Sequence, residues 1–233
     1  IISSAQSSGF IIEGSGLFDG DSGYLSKTFG SAGTDQKIGA ISYLIKQPAV
    51  YNTSIFYGGA DSSNRTSNGI DSSGNLNWVH KDSASTVDLL FRDNPMRDLS
   101  AWYHVVLMYD TTGGVAADRM KIYVNGVRIT SFQTENTPAL NQAFDWGTAV
   151  PHKIGLDAGG SNFAKFYLAS FAYLDGTSTT INDYGSVTSD GFWSISDVSG
   201  LDFGDNGFLI EGGSAIAAGT DSSGNSNNFA VTA

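Results

Sequence analysis

Ala101-Trp102-Tyr103-His104-Val105-Val106-Leu107-Met108-Tyr109-Asp110 and, after a polar loop, Met120-Lys121-Ile122-Tyr123-Val124-Asn125-Gly126-Val127-Arg128-Ile129 are the two stretches that decide the fold. From Trp102 to Asp110 the run is β-branched, aromatic and uninterrupted, as a central strand requires. Met120 to Val124 alternates apolar and polar residues, the period of a strand with one buried face. Asn125-Gly126 is the dipeptide that a type I′ turn selects, because both central residues take positive φ. Val127 to Ile129 then returns beside Met120 to Val124. The region is therefore a hairpin laid against a central strand.

Working outward, the same grammar repeats. Strands are expected at Tyr24–Phe29, Ile38–Lys46 (buried on both faces), Ile55–Tyr57, Val87–Phe91, Pro151–Gly155 and Phe163–Leu174. Ile11-Ile12 reads as the opening of a first strand, and 61–68 as a polar loop. Gly69-Ile70, the turn Asp71-Ser72-Ser73-Gly74-Asn75 and Leu76–His80 read as a second hairpin. Residues 178–184 read as a short helical turn. Strands spaced by about 8–12 residues with hairpin turns give an antiparallel sandwich or barrel. Residues 1–185 make the sandwich. Residues 186–233, rich in Gly, Ser and Asp, make a C-terminal extension that packs on it or on a partner.

Composition agrees. Of 23 acidic residues only Glu13, Glu135 and Glu211 are Glu, so the acids are mostly the turn-forming Asp rather than the helix-forming Glu. Twelve Lys and Arg leave a net charge of −11, which disfavours binding to nucleic acid or to anionic membranes. No apolar run approaches the ~18 residues of a membrane span. Without cysteine there is no disulfide framework and no thiolate metal site. The chain opens at Ile1 with neither an initiator Met nor a basic signal-like segment, and reads as a processed chain or a piece of a longer one.

The Trp102-Tyr103-His104-Val105 strand followed by Lys121-Ile122-Tyr123-Val124-Asn125-Gly126 resembles the laminin-G-like, concanavalin A-like jelly-roll superfamily. More of the chain resembles a narrower group, laminin-G-like virion proteins of marine tailed phages. The matching pieces include Tyr24–Gly33, Phe91-Arg92-Asp93, Tyr173-Leu174-Asp175-Gly176 and Asp221–Phe229. The resemblance implies an all-β antiparallel jelly roll at the virion surface, in a tail fibre or on the capsid. It implies other virion proteins as partners, weak multivalent binding of cell-surface polysaccharide, and a homo-oligomer such as a trimer. It also implies Ca²⁺ at the sandwich rim, for which Asp19, Asp21, Asp157 and Asp175 are the candidate ligands, the alternative for each being an ordinary turn residue of an Asp-rich chain.

No catalytic set is legible. Glycosidases of this fold place carboxylates as Glu-X-Asp-X-X-Glu on one strand, and no such run occurs. There is no Gly-X-Ser-X-Gly elbow. His104 reads as a sheet histidine with its hydrogen bonds satisfied, His80 as a solvated strand end, and His152 as facing a loop. The protein is therefore expected to bind rather than to catalyse; purely structural assembly and a glycan-degrading hydrolase or lyase are the alternatives. Sugars stack on aromatic faces. Trp146, between Asp145 and Gly147, is the best candidate for an exposed platform; Trp193 is a second, or else covers the sandwich or contacts a neighbouring subunit; Trp78 shares a strand face with Leu76 and reads as core first and platform second, while Trp102 reads as core. Asn64 lies in a polar stretch, 58–64, that would line a shallow site.

Overall fold

The computed structural model describes residues 10–83, 85–91 and 96–232. Arg92 and Asp93 of the resemblance lie outside them. Two antiparallel sheets face one another. Sheet I is ordered β1 (Gly16–Asp19), β12 (Lys165–Asp175), β3 (Ile38–Lys46), β8 (Tyr103–Asp110), β9 (Met120–Val124) and β10 (Val127–Arg128), with β15 (Phe208–Glu211) also pairing β12. Sheet II is ordered β16 (Ala230–Thr232), β2 (Tyr24–Thr28), β11 (Pro151–Ile154), β4 (Thr53–Gly59), β5 (Arg65–Ile70), β6 (Leu76–Asp82) and β7 (Ser85–Phe91). A hairpin of β13 (Gly185–Val187) and β14 (Trp193–Ile195) and one short helix, α1 (Gly213–Ala218), complete the described elements together with two single 3₁₀ turns.

The strand that decides the fold sits where its sequence puts it. β8 lies between β3 and β9, with Val105, Leu107 and Tyr109 turned inward and Val106 and Met108 turned outward, all buried. Asn125 and Gly126 take φ of 48° and 76°, the left-handed pair that the tight turn needs. The inner face of sheet I meets Ile55, Phe56, Ile70, Leu76 and Trp78 of sheet II in the main core. The outer face of sheet I is also covered. Ala40, Val106, Met108, Ala172 and Leu174 pack there beneath Tyr184, Val198 and Phe203. That second layer explains why β3, β8 and β12 read as near-continuous apolar runs rather than alternating ones.

Residues 186–233 are woven into the sandwich. β15 extends sheet I and β16 pairs β2 at the edge of sheet II. Asp175, at the end of β12, ties the parts together: its Oδ2 accepts from the backbone N–H of Thr34 at 2.7 Å and of Asn206 at 3.0 Å.

Several expectations are corrected. The first strand is Gly16–Asp19, not Ile11-Ile12. The second half of the expected 61–68 loop belongs to strand β5. Its polar residues fit a strand because the inward side chains find partners: Thr66 bonds His80 and Asp145, and Asn68 accepts from Tyr43 Oη and donates to the Asn77 carbonyl. His80 is buried, not solvated, and His152 is fully buried, accepting the Gly147 N–H at 3.1 Å. Trp102 stands just before β8 and is 40% exposed, so it is not core.

Candidate functional site

Among the described residues no layer covers the outer faces of β4, β5 and β6 of sheet II, and a polar groove of about 330 Å³ runs across them. Its floor is set by strand alternation. In β5, Thr66, Asn68 and Ile70 turn into the core, so Arg65, Ser67 and Gly69 turn outward. Tyr57 of β4 and Asn77 of β6 share that face, since Tyr57 and Gly69 pair respectively with Ser67 and Asn77. The loop carrying Asp157 and Asn162 forms one wall, and Ser62 lies on the rim.

The groove's side chains are held in place. The Asp157 carboxylate accepts from the N–H groups of Ser161 and Asn162 and from Asn162 Nδ2. Tyr57 Oη donates to the Asp61 carbonyl, and burial pushes its phenol up to about 12, so it stays neutral and a hydrogen-bond donor. The Arg65 Nε donates to Ser67 Oγ, and its guanidinium also donates to the Ser62 carbonyl. Lys153 Nζ sits 5.5 Å from the Tyr57 ring centroid. Chemically the groove offers fixed hydroxyl and amide groups with a cation, which suits a hydroxylated ligand and provides no pair of opposed carboxylates.

A second, aromatic groove of about 620 Å³ opens on the other side of the molecule between Trp102, Leu44, Phe192 and Trp193. Trp193 Nε1 donates to His104 Nδ1 at 2.9 Å, and His104 Nε2 meets Ser42 Oγ at 2.8 Å. The Nδ1 atom accepts, so the proton of the neutral imidazole sits on Nε2 and points to Ser42. His104 thus has both ring nitrogens satisfied, as its sequence position implied.

The predicted platforms separate. Trp193 is half-buried on the aromatic groove. Trp146 and Trp78 are fully buried and cannot present a face to a sugar; their rings stack on each other at 5.4 Å inside the core. The polar flanks of Trp146 misled the sequence reading, because Asp145 and Gly147 find partners far along the chain: Asp145 in Thr66 and His80, and the Gly147 carbonyl in the Gly33 N–H and Asn206 Nδ2. Asn64 lies beside the polar groove but its amide is spent on Asp61, and its carbonyl oxygen accepts from Ser83 N–H. Sequence reasoning missed Arg65, Ser67 and Asn77. The signal was there in the alternation of 65–70, hidden because the buried positions were Thr and Asn instead of apolar residues.

The four candidate calcium ligands are not gathered into one cluster among the described residues. Asp19 pairs with Lys165 at one end of β12, whereas Asp175 is the last residue at the other end. Asp19 caps its own turn through the Asp21 N–H, Asp21 is exposed, Asp157 is occupied by its loop, and Asp175 is fully buried with its pKa raised by burial. Among the described residues no three His, Cys, Asp or Glu side chains converge. Thr66, His80 and Asp145 do meet, but not as a catalytic triad: the hydroxyl and the carboxylate both lie on the Nδ1 side of His80, at 2.9 and 3.4 Å, and Thr66 is fully buried.

The family model described as the concanavalin A-like lectin/glucanases superfamily, laminin G type, matches residues 20–180, more than half of the chain. Among solved structures, a candidate carbohydrate-binding protein from Bacteroides ovatus is similar over 95% of this chain and 58% of its own, with a TM-score of 0.56 and 14% identity. A heptameric pentraxin from Limulus polyphemus is 18% identical, with a TM-score of 0.49 over 82% of this chain and 95% of its own. At 14% identity the first of these shows the fold alone. Among curated proteins, none matches the chain. Among the described residues no helix is long and apolar enough to cross a membrane.

Proposed function

The chain belongs to the concanavalin A-like lectin/glucanases superfamily, and from that premise we propose that it is a non-enzymatic carbohydrate-binding domain that holds glycan in the polar groove of sheet II. The observation that carries the reading is the face of β4–β6, which no described residues cover and where hydroxyl, amide and guanidinium groups line one groove. Sugar hydroxyls both donate and accept, which is what such side chains match. The resemblance of the sequence to virion proteins of marine tailed phages supports placing the domain on a phage particle, among other virion proteins. Many copies there turn single-site affinities of about millimolar into attachment.

The test is a glycan array run with assays for released reducing ends and for unsaturated uronates. Binding without turnover is the expected result, and turnover overturns the non-enzymatic assignment. Ser67→Trp fills the groove from its outward face and is expected to abolish binding with the melting temperature unchanged; binding that survives places the site elsewhere. A second reading, assembly without sugar binding, draws on the aromatic groove, where Trp102 is 40% and Phe192 72% exposed. It predicts no ligand on the array.

A further inference from the structure

Cations are scarce in this chain, 12 against 23 acids, yet three of them share the face that holds the polar groove. Residues directly opposite in antiparallel strands point to the same side. Arg65 of β5 is paired with Lys81 of β6. Lys153 of β11 is paired with Tyr57, and Tyr57 with Ser67, the next outward residue after Arg65. Lys153, Arg65 and Lys81 therefore stand on one face of four adjacent strands.

That placement is unfavourable for the protein alone. Like charges directly opposite across a strand pair repel, and burying part of a guanidinium without a counter-ion costs solvation. Among the described residues the ion pairs are Lys37–Asp35, His80–Asp145 and Arg128–Asp118, so none of the three cations has a described carboxylate within pairing distance. The acid in the groove lining, Asp157, keeps its charge and acts on Arg65 through space, but it forms no ion pair with it; its oxygens are held by Ser161 and Asn162. Arg65 is half-buried and braced by Ser67 and Ser62, which leaves further donors of its five-donor fork for a ligand. A chain with a net charge of −11 repels a polyanion at most of its surface, so an acidic polymer finds its attractive field at this face.

We propose that the groove selects acidic saccharides, with Arg65 taking the carboxylate or sulfate of the sugar and Lys81 and Lys153 supplying the surrounding positive field. The inference rests on the glycan-binding reading of the same groove. Affinity electrophoresis of the full chain separates the two. The probes are alginate and polygalacturonate for carboxylate, dextran sulfate for sulfate, and laminarin and unmodified dextran as neutral polymers. Retardation by the acidic probes alone, weakening as salt rises, is expected. Arg65→Met is expected to weaken it about 10- to 100-fold, the loss of a charge-assisted hydrogen bond. Lys81→Met provides a second variant, at a half-buried strand position outside the groove lining, expected to weaken binding by a smaller factor with the circular-dichroism melt unchanged. Which acidic probe binds identifies the anionic group. Binding of neutral glucan that is indifferent to both variants overturns the acidic preference and leaves the glycan reading standing. Absence of binding to all five polymers overturns both.

Discussion

Trp146 stacks on Trp78 at 5.4 Å, lies 5.6 Å from the Phe56 ring and 6.1 Å from that of Tyr109, and is fully buried. Replacing it by alanine removes a large ring from a closed core, so Trp146→Ala is expected to cost about 3–5 kcal/mol. Calorimetry should show the melting temperature falling by about 10 °C; a melt within a degree or two of the parent protein would contradict the burial. The residue also marks a limit of sequence reading. A tryptophan between Asp and Gly looks like a loop residue, because the hydroxyl and imidazole that satisfy Asp145 come from Thr66 and His80, far away in the chain. His80 was misread for the same reason. His104 was read well, since its partners, Ser42 on β3 and Trp193 on β14, lie along and above the strand that defines the fold.

At the level of elements, hairpins were the most legible features. Asn125-Gly126 and Asp71–Asn75 announce their turns through local chemistry, and in the second the Asp71 Oδ1 accepts from the N–H groups of Ser73 and Asn75. β5 was illegible from its first residues, because Arg-Thr-Ser-Asn carries no apolar alternation to betray its buried side. β16 and α1 were not foreseen either, being short and set in a Gly- and Ser-rich tail. The candidate site follows suit: it lies on β4–β6, so losing the start of β5 to a loop concealed Arg65.

The β13–β14 hairpin is tied to β8 by the Trp193–His104 bond, and that tie has a pH dependence. Burial lowers His104 from 6.5 to about 4, and does the same to His152 between β2 and β4. Between those values the unfolded chain takes up protons that the folded chain refuses. Stability is therefore complete above pH ~6.5 and declines as pH falls toward ~4, by on the order of 3 kcal/mol per histidine at the bottom of the window. Asp175 and Glu211, both raised by burial, pull the other way at its acid end. Urea midpoints measured from pH 7 to pH 4.5 should fall steadily, and a flat profile would show that neither imidazole is buried uncharged.

For the molecule as a whole, the division at residue 185 is a boundary of composition that the sheets cross. A chain ending there loses β15, β16 and α1, and uncovers Ala40, Val106, Met108, Ala172 and Leu174 on the outer face of sheet I. Such an exposed apolar face invites association. The truncated protein is expected to bind a hydrophobic dye, to elute as aggregates and to show no cooperative melt. A monomeric, cooperatively melting 1–185 would mean that the sandwich is self-sufficient. The two-layer architecture was legible from strand count and spacing. The cover on sheet I was not, because nothing local to Val198 or Phe203 names the strands they shelter.

The pairing of β15 with β12 and of β16 with β2 also sets a timetable. On a ribosome, residues 208–232 emerge after every strand that they join, and β2 must wait until β16 has been made before its outer neighbour exists. Contacts this distant along the chain are slow to form. The nascent protein therefore passes through a stage in which both layers have a ragged margin and sheet I an oily back, the interval in which a holding chaperone, or another copy of the same unfinished chain, can reach it first.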